Sequence, residues 1–124
     1  PARLSDKIVD ALETVVSTVA EKVEAAKPRK YRSNTEEHHI VAKKSPKSII
    51  ARKCFDDVGL SVEDKFNKVP VKTGIHRRLH TNVYYGLINT GVLIAYALGR
   101  DRDSKAKNIM SFVEAVGNIL SSRQ

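Results

Sequence analysis

Hydrophobic residues recur with the spacing of an α-helix along the first part of the chain. Asp6 and Asp10 near its start complement the helix dipole, and Pro28 cannot continue the helix. The pattern predicts a helix over residues 5–26, which either packs on the domain or belongs to a connecting region of a longer protein. Its apolar stripe consists of Ile8, Ala11, Leu12, Val15, Val16, Val19, Ala20 and Val23.

A second helix is predicted from a local start signal. Ser45 is a typical N-cap, Pro46 suits the first helical position, and Gly59 is placed to end the helix. Residues 61–64 repeat a capping pattern that predicts one further helical turn. The expected apolar face of the second helix is Ile49, Ile50, Cys54, Phe55 and Val58.

Two longer helices are predicted in the last third of the chain. One spans residues 75–98 and is capped by Gly99. The other spans residues 105–121, with Asp103 or Ser104 as its N-cap. Their expected buried positions are Leu79, Val83, Leu87, Val92 and Ala95 in the first, and Ile109, Phe112, Val113, Val116, Ile119 and Leu120 in the second.

Two short β-prone segments lie between the helical stretches. Residues 35–42 end in an apolar pair, and residues 66–71 form a second strand in which Pro70 favours an edge position. A turn is predicted at residues 73–74. The pattern as a whole predicts an α+β fold that is mostly helical, with four main helices.

Length and composition limit the classes of protein to consider. A chain of 124 residues is long enough for one compact domain, which we divide into an N-terminal helix and basic linker (1–34) and a main part (35–124). The longest apolar run, residues 91–98, falls short of a membrane span. Cys54 is the sole cysteine, so an internal disulfide is excluded and a buried packing position is expected. No signal peptide is visible, and a start at Pro1 is typical of a fragment.

Positive charge is concentrated in the middle of the chain. Residues 27–80 carry fourteen Lys and Arg against six Asp and Glu, which equals the net charge of +8 of the whole chain. A basic field suits a polyanionic partner, but it is equally typical of a solvated surface. Within residues 27–34, Tyr31 is a possible stacking platform for a nucleic acid, although a flexible charged linker is the commoner use of such a segment.

All four histidines lie in this basic segment. His38 and His39 are adjacent, so on a strand they point to opposite sides. His76 and His80 are four residues apart, so on a helix they share one face. Three imidazoles with an open position are typical of a catalytic metal site, and the remaining histidine is a candidate general base. This pattern predicts a metal-dependent nuclease.

Other residues refine or compete with this interpretation. Arg77 and Arg78 follow His76 and are candidates to neutralise a pentacovalent phosphate. The histidines can also be ordinary surface or core residues that bind no metal. A closed structural site needs a fourth protein ligand, for which Cys54 is the one candidate by type.

The order of these elements resembles the ββα-metal finger of HNH endonucleases, and more closely the AHH-type toxin nucleases of bacterial polymorphic toxins. The resemblance covers roughly residues 35–90. It rests on Glu37-His38-His39-Ile40-Val41, Gly59-Leu60-Ser61-Val62, Asn67, His76, His80 and Tyr84.

The resemblance implies a role for each matching residue. His39 is expected to be the general base, and Asn67 is expected to hold the finger and the base in place. His38, His76 and His80 are expected to bind one divalent metal ion, with zinc, magnesium, manganese and nickel as alternatives. Glu37 stands where the family name has Ala, so it either orients a ligand imidazole or faces solvent.

The resemblance also implies a biological setting. The expected activity is hydrolysis of phosphodiester bonds by an endonuclease that acts on DNA with little sequence preference. The chain is expected to be the C-terminal effector of a larger bacterial toxin that is delivered into the target-cell cytoplasm, with a cognate immunity protein as inhibitor. An RNase with the same site, or a nucleic-acid-binding module without catalysis, are the alternatives.

Overall fold

A computed structural model describes residues 4–26, 35–72 and 81–122. In chain order its elements are α1 (Leu4–Ala26), β1 (Thr35–His39), α2 (Ile49–Asp57), β2 (Lys68–Lys72), α3 (Asn82–Leu98) and α4 (Arg102–Ser122). Single 3-10 turns, Pro46–Ser48 and Lys65–Asn67, precede α2 and β2. The predicted α+β, mostly helical fold is confirmed. None of the helices in the described ranges is long and apolar enough to cross a membrane.

One hydrophobic core joins the helices to the small sheet. Helix α1 packs against α3 and α4, and Val15 and Val19 of α1 belong to the core. Cys54 is buried on α2, as its position on the apolar face predicts. Helix α1 therefore packs on the rest of the fold, while the division at residues 34 and 35 stays a prediction.

The sheet consists of β1 and β2 paired antiparallel. Glu36 lies opposite Val71, His38 opposite Val69, and His39 opposite Lys68. Residues directly opposite each other share a face of the sheet. The inner face therefore carries His38 with the buried Val69 and Val71, and the outer face carries His39 with Lys68.

The N-terminus of α3 differs from the prediction. Thr81 is extended (φ −119°, ψ 158°), and its hydroxyl accepts a hydrogen bond from Tyr84 N, so the helix begins at Asn82. A continuous helix over residues 75–98 is therefore wrong, because Thr81 caps α3. Residues 73–80, which include His76, His80 and the predicted turn, lie outside the described residues.

The N-terminus of α4 is also capped earlier than expected, by two or three residues. Ser104 N donates to Asp101 Oδ1 at 2.8 Å, while Ser104 Oγ accepts from Arg100 N at 3.0 Å. The capping residue is therefore Asp101, and the prediction of Asp103 or Ser104 is wrong. Asp103 instead lies in the first turn, where it pairs with Lys107 at 3.1 Å.

Three residues expected in the core are exposed. Ile49 and Ile50 are each 47% exposed, and Val83 is 52% exposed. Both isoleucines lie in the first turn of α2, whose inward face is carried by residues further along, namely Ala51, Cys54 and Phe55. On α3 the adjacent Tyr84 and Tyr85 are buried in place of Val83.

Helices α3 and α4 approach each other closely at Gly91. A Cβ atom built there would lie 2.0 Å from Cζ of Phe112, whereas one built at Gly86, on the same helix, would have no heavy atom within 4 Å. Gly91 therefore leaves the space into which the Phe112 ring packs.

These two glycines predict opposite effects of the same substitution. Gly91→Ala should destabilise the fold by about 1–3 kcal/mol, because the ring or the helix must move. Gly86→Ala should stabilise it by up to about 1 kcal/mol through helix propensity. Urea denaturation of both variants measures the difference, and equal effects would contradict the close approach of α3 and α4.

Candidate active site

The strand β1 places its two histidines on opposite faces of the sheet. His38 is 2% exposed on the inner face. The side chain of His39, on the outer face, is 20% exposed. The alternation expected of adjacent strand residues is therefore present, and the two imidazoles have different surroundings.

A buried amide fixes the chain just beyond these histidines. Asn67 is fully buried, and its Oδ1 accepts from Val41 N at 2.8 Å while its Nδ2 donates to Val41 O at 3.0 Å. The same Nδ2 donates to Val62 O at 2.8 Å. Its backbone carbonyl accepts from Ile40 N at 2.8 Å. Asn67 thus joins the end of β1, the start of β2 and the loop at Val62 through hydrogen bonds.

His38 contacts the first turn of α3. A hydrogen bond of 2.9 Å joins its Nε2 to the hydroxyl of Tyr84, and the two rings lie 5.7 Å apart. Complete burial raises the pKa of the Tyr84 phenol far above its usual value, and the neighbouring Tyr85 adds a smaller rise. Tyr84 therefore stays protonated and presents a neutral hydroxyl to the imidazole.

His39 contacts an acidic side chain from the loop before β2. Its Nε2 lies 2.9 Å from Glu63 Oε1, and Lys43 Nζ lies 3.5 Å from the same oxygen. The hydrogen bond from His39 lowers the pKa of the Glu63 carboxyl, and the positive charge of Lys43 lowers it further. His39 therefore contacts a carboxylate that also pairs with Lys43, and it lies opposite Lys68 in the sheet.

The predicted metal ligands are only partly within the described residues. His38 is a nitrogen donor of the type that divalent transition metals take, and it faces α3, the helix that residues 73–80 lead into. His76 and His80 lie in that segment, outside the described residues. No three His, Cys, Asp or Glu side chains within residues 4–26, 35–72 and 81–122 are grouped to hold a metal ion. The donor chemistry of His38 fits a metal site whose other predicted ligands come from residues 73–80.

The structure brings together three of the predicted site residues. His38 and His39 are the last residues of β1, and Asn67 directly precedes β2 and is hydrogen-bonded to Ile40 and Val41 next to them. Arg77 and Arg78, like His76 and His80, lie outside the described residues. The role assigned to each residue stays a prediction.

Comparison with known proteins supplies a family. Residues 19–120 match the model of AHH, described as a nuclease family of the HNH/ENDO VII superfamily with conserved AHH. The chain belongs to the AHH nuclease family. The resemblance to AHH-type HNH nucleases is thereby confirmed, and nucleic acid is the class of substrate that this family membership implies. Neither the comparison with curated proteins nor that with solved structures gave a match.

This AHH nuclease departs from the family name at one position. Glu37 takes the place of Ala, is exposed on the outer face of β1, and lies opposite Pro70. Its exposed position agrees with the interpretation in which the carboxylate faces solvent.

Glu63 is the site residue that the sequence did not indicate. It was expected only as part of a capping pattern, and residues 61–64 do form a turn in which Glu63 N donates to Ser61 Oγ at 3.1 Å. Its contact with His39 spans 24 positions of sequence, and no local spacing rule relates residues so far apart. The loop that carries Glu63 follows the turn at Gly59, where φ is +76°.

Loss of the Asn67 amide should destabilise the AHH nuclease. Asn67→Ala leaves the Val41 amide and two carbonyl groups without their protein partner, which we expect to cost about 2–4 kcal/mol of unfolding free energy. Asn118→Ala, an exposed position on α4, is the matched control and should change stability by less than about 0.5 kcal/mol. Urea denaturation decides, and a neutral effect of Asn67→Ala would contradict the three hydrogen bonds.

The bond between His39 and Glu63 should be visible in a titration. In the folded AHH nuclease the pKa of the Glu63 carboxyl should be lower than that of an ordinary glutamate, and His39→Ala should raise the pKa of Glu63. Because the folded pKa is depressed, the bond stabilises the fold above the unfolded pKa and is lost as pH falls through the folded pKa.

Carbon-13 NMR of the Glu63 carboxyl measures this titration directly. Lys107→Ala, a change at the exposed start of α4, should leave the Glu63 midpoint unaltered. An unshifted Glu63 in the wild-type protein would mean that the bond to His39 does not form in solution.

Proposed function

We propose that this chain is a metal-dependent endonuclease that hydrolyses phosphodiester bonds in DNA, with His39 as the general base. Membership of a nuclease family supports the class of reaction. The observation that carries the choice of base is the position of His39 at the rim of the outer face, beside Glu63 and lysines, while His38 is buried. A base needs access to water and substrate, which His39 has and His38 lacks.

In the proposed mechanism His39 accepts a proton from the attacking water. Neutral imidazole suits this step because one of its ring nitrogens carries a lone pair that can accept a proton. Lys43, which pairs with Glu63, and Lys68, which lies opposite His39 in the sheet, add positive charge to this face, which favours a phosphate there. Asn67 keeps the end of β1, and with it the His39 backbone, in a fixed position relative to β2.

The proposed metal ligands are His38, His76 and His80. A divalent ion bound there would stabilise the negative charge that develops on the phosphate and on the leaving oxygen. Nucleases of this superfamily generally use such an ion. Arg77 and Arg78 are proposed to add positive charge on the same side of the phosphate, because they follow His76 directly.

DNA is proposed as the substrate because water is the nucleophile in this mechanism. A base that activates water needs no 2′-hydroxyl, whereas many RNases use that group as the internal nucleophile. The basic segment of residues 27–80 favours a polyanion but does not distinguish DNA from RNA. An RNase with the same site is the second candidate.

The proposed biological role is that of a toxin effector. The chain would act in the cytoplasm of a target cell as part of a larger bacterial protein, and an immunity protein would neutralise it in the producing cell. The resemblance to polymorphic-toxin nucleases supports this setting. Induced expression in a bacterial host should reduce viability, and His39→Ala should restore it.

Replacement of His39 tests the proposed mechanism. With plasmid DNA and a divalent metal, His39→Ala and His39→Gln should each lower the rate of cleavage by about 10²–10⁴-fold, because neither side chain accepts a proton near neutral pH. His39→Gln keeps a hydrogen-bonding group at this position, so it separates loss of the base from loss of the local contact. Gel analysis of nicked and linear plasmid measures the rate.

The control and the alternatives are part of the same assay. Lys107→Ala, exposed at the start of α4, should cleave like the wild type. Undiminished cleavage by His39→Ala would contradict the mechanism. Degradation of total RNA with plasmid left intact would favour the RNase, and salt-sensitive binding of DNA without cleavage would favour a non-catalytic module.

A further inference from the structure

Glu63, the carboxylate beside His39, lies on a loop that is held by hydrogen bonds within the loop and by a hydrogen bond from Asn67. Ser61 N donates to Asp64 Oδ2 at 2.9 Å, and Glu63 N donates to Ser61 Oγ at 3.1 Å. The preceding carbonyl, Val62 O, accepts from the buried Asn67 amide at 2.8 Å. The backbone of Glu63 is therefore held by hydrogen bonds before its side chain makes any contact.

The same amide also holds the strand that carries His39. Asn67 binds Val41, two residues beyond His39, through both its oxygen and its nitrogen. One buried side chain thus fixes the distance between the His39 and Glu63 backbones. A casual surface ion pair has no such shared support, as the exposed pair of Asp103 and Lys107 on one helix illustrates.

The hydrogen bond determines which nitrogen of His39 carries hydrogen. An ionised carboxylate only accepts hydrogen bonds, so Nε2 must donate to Glu63 Oε1. In the neutral ring the proton-accepting lone pair is then at Nδ1. A base whose orientation is set by a third group is a recurring arrangement in catalysis.

We propose that Glu63 is a positioning residue for this nuclease: it holds the His39 ring with Nε2 toward the carboxylate and Nδ1 available to the attacking water. The inference rests on the proposed role of His39 as general base. Glu63 itself touches neither substrate nor metal in this account, and it acts through His39 alone.

Lys43 makes the carboxylate compatible with a polyanionic substrate. A negative charge beside a phosphate would repel it, but Lys43 Nζ lies 3.5 Å from the oxygen that His39 contacts. Lys68 lies opposite His39 in the sheet. Lys43 offsets the charge of Glu63, so the effect of Glu63 on catalysis should come through the orientation of His39 rather than through substrate binding.

A double-mutant cycle on the full chain tests this inference. Wild type, Glu63→Ala, His39→Ala and the double variant are compared in plasmid cleavage, with kcat and KM determined for each. Glu63→Ala should lower kcat about 10-fold or more at unchanged KM, and in the His39→Ala background it should cause no further loss. Asp103→Ala, which removes an ion pair without a histidine, should leave kcat at the wild-type value.

The cycle separates failure of the inference from failure of the proposed function. Three outcomes would overturn the role of Glu63 while His39 remains the base. Glu63→Ala could keep the wild-type kcat, it could change KM alone, or it could lower kcat by the same factor in the His39→Ala background. Full activity of His39→Ala would refute the proposed function and this role together. Urea denaturation should give Glu63→Ala a midpoint only slightly below that of the wild type, because an exposed ion pair contributes little to stability. A large shift with a parallel fall in kcat would indicate a merely structural role.

Discussion

The rest of the site depends on the hydrogen bonds of one buried side chain, that of Asn67. It is fully buried, and its amide binds Val41 twice and Val62 once. A buried polar group is costly unless it is satisfied, and a fully satisfied one specifies a single arrangement of the chain around it. Here that arrangement brings together the end of β1, the start of β2 and the loop that carries Glu63. The positions of His39 and of its partner therefore follow from one amide.

The sheet then separates two histidines that are neighbours in sequence. His38 faces the core and the neutral hydroxyl of Tyr84, while His39 faces the rim, with Glu63, Lys43 and Lys68 around it. A two-stranded sheet achieves this because each step along a strand reverses the side chain. In the proposed mechanism this division assigns metal binding to the buried ring and proton transfer to the accessible ring.

Local signals in the sequence predicted most of the fold. The stripe of α1 and the Ser45–Pro46 start signal are each encoded within a few residues, and α1 forms where expected. Ser45 caps the 3-10 turn Pro46–Ser48, and α2 begins after this turn, at Ile49 rather than at Pro46. The start of α3 was wrong because the hydrophobic pattern continues through Leu79 and Val83. Thr81 nevertheless adopts an extended conformation and caps the helix, and Val83 is exposed. A capping residue inside an apparently continuous pattern overrides periodicity, which is an average over several turns.

Only those residues of the candidate site that belong to a sequence motif could be predicted. The paired histidines and Asn67 are indicated by the family resemblance, and the structure brings them together. Glu63 was not indicated, because its contact with His39 joins positions 24 residues apart and forms only in the folded chain. Long-range contacts of this kind depend on the fold as a whole, so a pattern read along the chain does not contain them.

A crystal structure of the His39→Ala variant with a DNA duplex and a divalent cation tests the central claim most directly, since the variant should leave the DNA intact. A phosphodiester group should lie on the outer face of the sheet, next to position 39 and within reach of Lys43 and Lys68. DNA bound across another surface, with no phosphate near the end of β1, would contradict the assignment of this face as the active site.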